Sequence, residues 1–576
     1  MLNRAAAIGI KLDGAKLAIV NARLEGVVRK MASTLLRSGR SGVLNRARDF
    51  SCCIVTHGNE LLCAAESLPI HVLRGPDMMA ASMVNYHSKL EAGDAFLHNC
   101  PYHGCSHPAD HTILVPVVDG RGVHRYTVVA KAHQADIGNS QPTTYFGAAR
   151  DVYEEGALIF PATRVQKNYQ TIEDIVRICT ARIRVPEQWL GDFKAMLGAA
   201  RTGERALLAL GAEYGWDYLE AFGSQWFDYS EARMEQAVNA MPNGRARASS
   251  THDAISGVCE TPITVSADVR VDNKLGHVHI DLRDNPDCQP NGLNVSEACV
   301  HTSAMIGLFN CLDSSVPKNA GSFRRIHLDL KENCIVGIPT HPHSCSAATT
   351  NVSDRIANAV QLAISGIGEG VGMAEIGANL PASRGVFSGV DPRSGKAYVN
   401  QVFLGSSGGA GNPHADGWLH YSHAGNGGMG YLDSIELAEL YQPLYVRGRY
   451  LIPDTEGAGE YRGAPGKYVE IEVMADEVNV AYVTDGIQFP PQGVCGGEAA
   501  AGGRQYLKHA DGEEQEIPAH GVLRLNRGQR LVSITSGGGG FGKPGSRNRS
   551  AVRRDVADGR ISEQRARDVY GVEPDD

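Results

Sequence analysis

Apolar residues recur at intervals of three and four between residues 17 and 38, a spacing that predicts a helix with one buried face. Gly39 follows this segment and marks its end. Residues 50–56 and 61–65 are short apolar runs joined by a Gly-Asn turn signal, so they predict a β-hairpin. The N-terminal region therefore combines a long helix with paired strands.

Three further segments of this region have clear patterns. Residues 76–90 begin with a proline and carry their apolar residues on one face, which predicts a second helix. Residues 113–118 and 126–132 are almost wholly apolar and are separated by an Asp-Gly turn signal at 119–120. Such strands are typical of a sheet that is covered on both faces.

The pattern changes four times along the rest of the chain. Residues 145–240 are mainly helical in pattern, short alternating strands follow, 366–430 are glycine-rich, and the chain after 445 is β-rich. These changes predict an α+β, multidomain protein with mixed sheets and helices, a β-rich C-terminal unit and a short helical tail. The predicted regions are 1–145 (α/β), 146–245 (mainly helical), 246–440 (α+β, glycine-rich), 441–543 (β-rich) and 544–576 (charged, with one helix over 563–570).

Composition and charge exclude several classes of protein. The 576 residues are 43% hydrophobic and 21% charged, as in folded globular proteins. A net charge of −9 argues against nucleic acid as the main partner. We find neither an apolar run long enough for a membrane helix nor the apolar core of a signal peptide. The thirteen cysteines contain no Cys-x-x-Cys pair, which favours a reduced, cytoplasmic protein.

Histidine is concentrated in one short part of the first region. Six of the 21 histidines lie between residues 98 and 133. His107 and Asp110 precede the first of the two apolar strands, and His133 ends the second, so the hairpin returns His133 to the neighbourhood of the other two. Nitrogen and oxygen donors with open positions left over are the plan of a catalytic metal site, for zinc, manganese or iron. The alternative is a set of hydrogen-bonded histidines in a polar loop.

Three glycine-rich motifs match nucleotide or nucleophile signatures only in part. Residues 537–543 nearly match a phosphate-binding loop, but Pro544 stands where a magnesium-binding hydroxyl is required. Residues 425–430 fit the dinucleotide fingerprint without a surrounding βαβ unit. Residues 405–409 fit a nucleophile elbow without the helix that must follow it. We interpret all three as glycine-rich loops and expect no nucleotide site in this chain.

Longer segments carry a more specific signal. Residues 93–110 (GDAFLHNCPYHGCSHPAD) and 132–138 (AHQADIG) match a family signature, and shorter matches occur at 184–192, 292–298 and 317–324. On these segments the chain resembles the hydantoinase B/oxoprolinase family over nearly its whole length. That family includes the B subunit of N-methylhydantoinase, the C-terminal half of 5-oxoprolinase and the α subunit of acetone carboxylase.

The resemblance implies a metal site and a partner. His107, Asp110 and His133 would be metal ligands, and Asp49, which alone is typical of a turn or cap, would be a fourth. It also implies a larger, hydantoinase A-like partner subunit that binds ATP-Mg, in an (αβ)2 heterotetramer. The sequence departs from the usual pattern at Cys100, Cys105 and Gln134, which leaves the substrate open.

Two catalytic functions are compatible with this resemblance. In the first, the partner uses ATP to phosphorylate the oxygen of a cyclic amide, such as a hydantoin, lactam or oxoproline, and the metal of this chain activates the water that opens the ring. In the alternative, the chain is the alpha-type subunit of an ATP-dependent ketone carboxylase acting on acetone- or acetophenone-like substrates. Asp136 or His103 would orient a metal ligand or serve as the general base. A non-catalytic scaffold with a structural metal is a third reading, disfavoured by the absence of paired cysteine ligands.

Overall fold

The first helix forms where the apolar spacing predicts it. The computed structural model describes residues 10–65, 67–377 and 381–573. Helix α1 runs from Gly14 to Ser38, and the side chain of Asp13 caps it by accepting a hydrogen bond from the backbone of Lys16. The helix ends at Gly39, whose backbone N–H donates to the carbonyl of Leu35. The buried residues of α1 include Leu24, Met31 and Leu35, which confirms the predicted apolar face.

A seven-stranded antiparallel sheet dominates the N-terminal part. Its strands are β1 (Phe50–Thr56), β2 (Leu61–Ala64), β3 (Ala95–His98), β4 (Asp110–Val118), β5 (His124–His133), β6 (Thr163–Lys167) and β7 (Gln170–Thr171). They lie in the order β2-β1-β5-β4-β3-β6-β7. The neighbouring helices are α2 (Gly42–Asn45), α3 (Pro69–Val72), α4 (Pro76–Tyr86), α5 (Val152–Glu155), α6 (Glu173–Arg182), α7 (Pro186–Tyr214) and α8 (Trp216–Asn239).

Both faces of this sheet are covered, as the apolar strands predict. Ile113 and Val115 of β4 share a core with α1 and α7, whereas Leu114 packs with Met79 and Met83 of α4 on the other face. The predicted helix at 76–90 ends earlier, at Tyr86. Strands β6 and β7 continue the sheet into a region whose pattern is mainly helical, and the division of the chain into five regions stays a prediction.

A second, four-stranded sheet follows. It contains β8 (Gly244–His252), β9 (Ile263–Asp272), β10 (His277–Asp281) and β11 (Ile326–Asp329), in the order β11-β10-β9-β8. Helices α9 (Glu297–Phe309), α10 (Ala320–Phe323) and α11 (Val352–Ser365) accompany it. Residues of α9 and α11 share an apolar core with this sheet. Nearly all of α11 is buried, including its polar residues Asp354, Arg355 and Asn358.

The C-terminal unit is β-rich and is followed by helices. Its elements are β12 (Val386–Asp391), β13 (Lys396–Gln401), α12 (Ile435–Tyr441), β14 (Leu444–Leu451), β15 (Lys467–Val473), β16 (Val478–Val483), β17 (Arg504–Lys508), β18 (Glu514–Glu516), β19 (His520–Leu525) and β20 (Arg530–Ile534). Two sheets have the orders β13-β12-β16-β19 and β14-β15-β20-β17-β18. The tail holds two helices, α13 (Arg549–Ala557) and α14 (Glu563–Asp568), where the pattern predicts one.

The fold is therefore α+β and multidomain, with mixed sheets, as the sequence predicts. All thirteen cysteines are free thiols. Over the ranges that the structure describes, no helix combines the length and the apolar character needed to cross a membrane.

Candidate metal centre

The β4–β5 hairpin brings three donor groups together. Asp110 is the first residue of β4 and pairs in register with His133, the last residue of β5, while His107 lies in the turn just before β4. Nε2 of His107, Nδ1 of His133 and Oδ1 of Asp110 are each 3.1 Å from the other two. Three ligand atoms thus converge on one point, as the sequence pattern predicts.

The hydrogen bonds around the two histidines leave their lone pairs facing Asp110. Nδ1 of His107 donates to the carbonyl oxygen of Ser346 at 2.7 Å, so Nε2 carries no proton when the ring is neutral. When Nδ1 of His133 is a metal ligand, Nε2 carries the proton, and the hydroxyl of Thr144 at 3.0 Å is placed to accept it. Outer partners of this kind orient the histidine ligands of metal sites. The donor set therefore fits a divalent cation held by two imidazoles and one carboxylate.

Asp110 is the anionic part of the group. Its Oδ2 accepts a hydrogen bond from the hydroxyl of Ser106 and lies 3.2 Å from Nε2 of His71. Burial alone would raise the pKa of Asp110, but the charges of His71 and His107 and the surrounding hydrogen bonds hold this pKa well below its usual range. The same carboxylate raises the pKa of His107 against the opposing effect of burial. Asp110 is therefore ionised and attracts a positive charge to this point.

Asp49, the fourth predicted ligand, lies beside the group. Its backbone carbonyl accepts from the N–H of His133, and its Oδ1 is 3.6 Å from Nε2 of His71. The imidazole of His71 thus stands between the carboxylates of Asp49 and Asp110, with its Nδ1 3.2 Å from the hydroxyl of Ser51. His71, on the short helix α3, was not predicted from the sequence, because it stands alone and far from the histidine cluster. The role of Asp49 as a metal ligand stays a prediction.

The two residues predicted to assist catalysis have other partners. Both carboxylate oxygens of Asp136 accept hydrogen bonds from Arg184, whose Nη1 is 2.8 Å from Oδ1. His103 is exposed, and its Nε2 is 3.2 Å from the hydroxyl of Tyr86. The structure brings neither side chain into the His–Asp–His group, and their assignment as orienting or general-base residues stays a prediction.

Tyr145 connects the centre to a cavity. Its ring stacks on both imidazoles, at 5.5 Å from His107 and 5.2 Å from His133. The same segment lines a cavity of about 250 Å³, whose walls include Gln141, Thr143, Tyr145, Phe146, Tyr482 and His520. The backbone N–H of Phe146 also donates to the hydroxyl of Ser346, so one segment of chain supports the centre and walls the cavity.

A buried His–Asp–His group beside a cavity, in an α+β fold, defines a candidate metalloenzyme. The chain belongs to the hydantoinase B/oxoprolinase family, whose family model matches residues 13–544. This finding confirms the resemblance that the sequence segments indicate.

Individual relatives match almost the full chain. The caprolactamase subunit beta of Pseudomonas jessenii is 29% identical over 569 residues, covering 97% of this chain and 96% of that subunit. The crystal structure of the ATP-dependent caprolactamase from the same organism superposes with a TM-score of 0.88 at 26% identity, covering 98% of this chain and 97% of that chain. The 5-oxoprolinase 1 of Arabidopsis thaliana is 24% identical over 92% of this chain, which corresponds to 42% of that protein.

A nucleotide-free structure of acetone carboxylase shares the same fold. It superposes with a TM-score of 0.86 at 17% identity, covering 96% of this chain and 79% of that chain. At this identity the likeness shows the fold alone.

Proposed function

We propose that this chain is the metal-dependent catalytic subunit of an ATP-dependent cyclic-amide hydrolase, with the ATP used on a partner subunit. The observation that carries the proposal is the convergence of His107, Asp110 and His133, with mutual distances of 3.1 Å, in a chain that matches a caprolactamase subunit over 97% of its length. The substrate class is a lactam, hydantoin or oxoproline ring.

The residues of the centre suit this chemistry. His107, Asp110 and His133 would hold a zinc, manganese or iron(II) ion, with Asp49 and His71 adjacent. A divalent ion held there supplies Lewis acidity toward the amide carbonyl and the attacking water. Tyr145 stacks on the two imidazoles and also forms part of the cavity wall, so a ring bound in this cavity would lie beside the centre.

ATP has a clear chemical purpose in this reaction. An amide carbonyl is a poor electrophile because nitrogen donates electron density to it. Phosphorylation of the amide oxygen removes that stabilisation and creates a leaving group, and ATP hydrolysis drives an otherwise unfavourable ring opening. The name of the relative, a subunit beta, supports a separate partner for this step. We assign ATP-Mg to a larger, hydantoinase A-like subunit in an (αβ)2 heterotetramer, and the free thiols support a reducing, cytoplasmic location.

A ketone carboxylase alpha-type subunit is the second candidate, supported by the shared fold with acetone carboxylase. The two functions differ in their co-substrate. A hydrolase consumes water and the cyclic amide, whereas a carboxylase requires bicarbonate and a ketone.

The test uses the chain assembled with its ATP-binding partner. Metal content is measured by elemental analysis for the wild type and His107→Ala, and ADP release is followed with caprolactam, hydantoin, 5-oxoproline or acetone, with and without bicarbonate. We expect about one ion per chain, lost in the variant, and ADP release coupled to ring opening without bicarbonate. An assembly without stoichiometric metal, or ADP release that depends on acetone and bicarbonate, would contradict the proposal.

A further inference from the structure

Arg384 is a buried arginine without an acidic partner. It ends a short 3₁₀ turn, Ala382–Arg384, that leads into β12, and its side chain and backbone together are only 4% exposed. Its Nη1 donates to the hydroxyl of Ser422 at 2.5 Å, and its guanidinium lies 4.8 Å from the centre of the Phe403 ring. No carboxylate among the described residues forms an ion pair with it, and its Nε has no hydrogen-bond partner.

The edge of the Arg384 guanidinium that carries Nε and Nη2 has the geometry to bind an oxyanion. Nη1 is engaged by Ser422, whereas Nε and Nη2, which lie side by side, donate to no atom in the described part of the chain. Two parallel N–H groups of this kind bind a phosphate or carboxylate in a bidentate manner. An unpaired charge in a protein interior is unfavourable unless a partner completes it, so the arrangement points to a ligand.

Arg384 is connected to the metal centre through Ser422. The hydroxyl that accepts from Arg384 also accepts from Nδ2 of Asn426 at 3.2 Å. Asn426 ends the short 3₁₀ turn Ala424–Asn426, which packs against helix α3, and α3 carries His71. In agreement with this placement, burial lowers the pKa of Arg384 and the neighbouring Tyr145, Asp49 and Asp354 oppose this effect.

Other unpartnered polar atoms accompany Arg384. Asp354 binds His423 and the backbone of Gly425 through Oδ1, but its buried Oδ2 has no partner. Gln401, whose amide nitrogen donates to the carbonyl of Arg384, has an unpartnered Oε1. Buried polar groups are normally hydrogen-bonded. Both of these oxygens are acceptors, so among these atoms only the guanidinium of Arg384 can supply donors to an anion.

We propose that Arg384 binds the phosphoryl oxygens of the activated substrate beside the metal centre. This inference rests on the proposed function, because phosphorylation of the amide oxygen adds an anionic phosphoryl group to the ring, and this chain must recognise that group. A guanidinium recognises that anion and leaves the unphosphorylated amide without a matching group. The metal centre and Arg384 then bind two parts of one molecule.

Arg355 provides a matched control. It is also an almost completely buried arginine, but its Nε and Nη2 both donate to Asp485, at 2.9 and 3.1 Å. Removing a paired arginine leaves its carboxylate unsatisfied, whereas removing an arginine kept for a ligand relieves an unfavourable burial. The two arginines should therefore respond oppositely to the same substitution.

The experiment compares Arg384→Met, Arg384→Lys and Arg355→Met in the assembled, metal-loaded enzyme. Inorganic phosphate binding is measured by titration calorimetry, together with metal content and the midpoint of thermal unfolding without phosphate. We expect Arg384→Met to keep its metal, to unfold at the same or a higher temperature, and to bind phosphate at least about 10-fold more weakly. Arg384→Lys should fall between it and the wild type, since lysine keeps the charge without the bidentate edge. Arg355→Met should unfold at a lower temperature.

Three results would overturn the inference. Phosphate affinity that is unchanged in Arg384→Met would place the anion elsewhere, and a wild type that binds no phosphate would show that there is no such anion site. A fall in the unfolding midpoint equal to that of Arg355→Met, with phosphate binding retained, would make Arg384 structural. Failure of cyclic-amide hydrolysis is a separate observation, because phosphate binding is measured without turnover.

Discussion

Two buried polar clusters in this protein differ in how their charges are arranged. Around Arg355, on helix α11, every strong donor meets an acceptor: Asp485 receives two of its N–H groups, and the carbonyl of Phe489 receives another at 3.1 Å. At the metal centre, two imidazole lone pairs and the carboxylate of Asp110 face one another. The first cluster is complete by itself, whereas the second has acceptors that face one another and that a proton or a cation would complete.

The difference explains the role of each cluster. Arg355 joins α11 to the C-terminal unit, because Asp485 follows β16 and also accepts from the backbone N–H of Asp253, which follows β8. The cluster therefore holds the second sheet against the C-terminal unit. The converging acceptors of the centre repel each other unless a proton or a metal ion lies between them. This repulsion lowers the stability of the empty centre and favours the binding of a cation.

The largest effect is expected from Asp110→Asn. This substitution keeps the shape of the side chain but removes the negative charge at the centre. We expect loss of the metal and a fall in kcat/KM of at least about 10³-fold, which corresponds to the several kcal/mol that a catalytic metal supplies. Elemental analysis and turnover of the assembled enzyme measure both.

Asp192→Asn is the control for that substitution. Asp192 is also buried, but it accepts hydrogen bonds from the backbone of Arg40 and Ser41, away from the centre. This variant should keep its metal. If Asp110→Asn also kept a full complement of metal and normal turnover, the His–Asp–His group would be a structural cluster like the one around Arg355.

The second effect concerns stability. Asp485→Asn leaves Arg355 without its main partner in the interior, and the expected loss of stability is about 3–5 kcal/mol with unchanged metal content. Urea unfolding of the purified chain measures it. The double variant R355M/D485L removes both charges and should recover part of the loss. A single variant as stable as the wild type would show that the cluster does not join the two parts.

Substitutions of Asp49 and His71 should have a smaller effect on metal affinity, and they test which residues belong to the centre. Outer partners of metal ligands contribute about 10–100-fold to metal affinity. We expect His71→Gln to weaken metal binding within that range, since His71 touches Asp110 from outside the triad. Asp49→Asn separates two roles. As a direct ligand it should resemble Asp110→Asn, and as a residue acting through His71 it should resemble His71→Gln, in a competition titration with a chelator.

The sequence was sufficient to predict that His107, Asp110 and His133 come together, because they are close along the chain, and their role as metal ligands stays a prediction. Asp110 begins one strand of a hairpin and His133 ends the other, and the sequence shows this hairpin as two apolar runs around a turn signal. His107 is three residues from Asp110. The helix predicted at 17–38, which spans 14–38 in the structure, and the covered sheet were predicted for the same reason. Both depend on local periodicity.

Residues that reach the centre from a distance were not predicted. His71 lies on a four-residue helix, and Tyr145 lies in a loop after β5. Arg384 lies in a turn about 250 residues after His133. None of them has a pattern that distinguishes it from other polar or aromatic residues. His71 and Tyr145 reach the centre through contacts within the N-terminal part, whereas Arg384 is brought near it only by the packing of the C-terminal unit. The two short strands β6 and β7 and helix α13 were missed because their patterns are weak.

Thr144→Val is expected to give the smallest effect. It removes the hydroxyl that accepts from Nε2 of His133, so the ring can adopt the other tautomer and present Nδ1–H toward Asp110. We expect metal affinity to fall about 10-fold, the lower end for such partners, with little change in unfolding. Thr143→Val is the matched control, because the hydroxyl of Thr143 accepts from the backbone of Tyr145 and touches neither histidine. Equal metal affinity in both variants would show that Asp110 alone orients His133, and the outer shell of the centre would then be no more specialised than the cluster around Arg355.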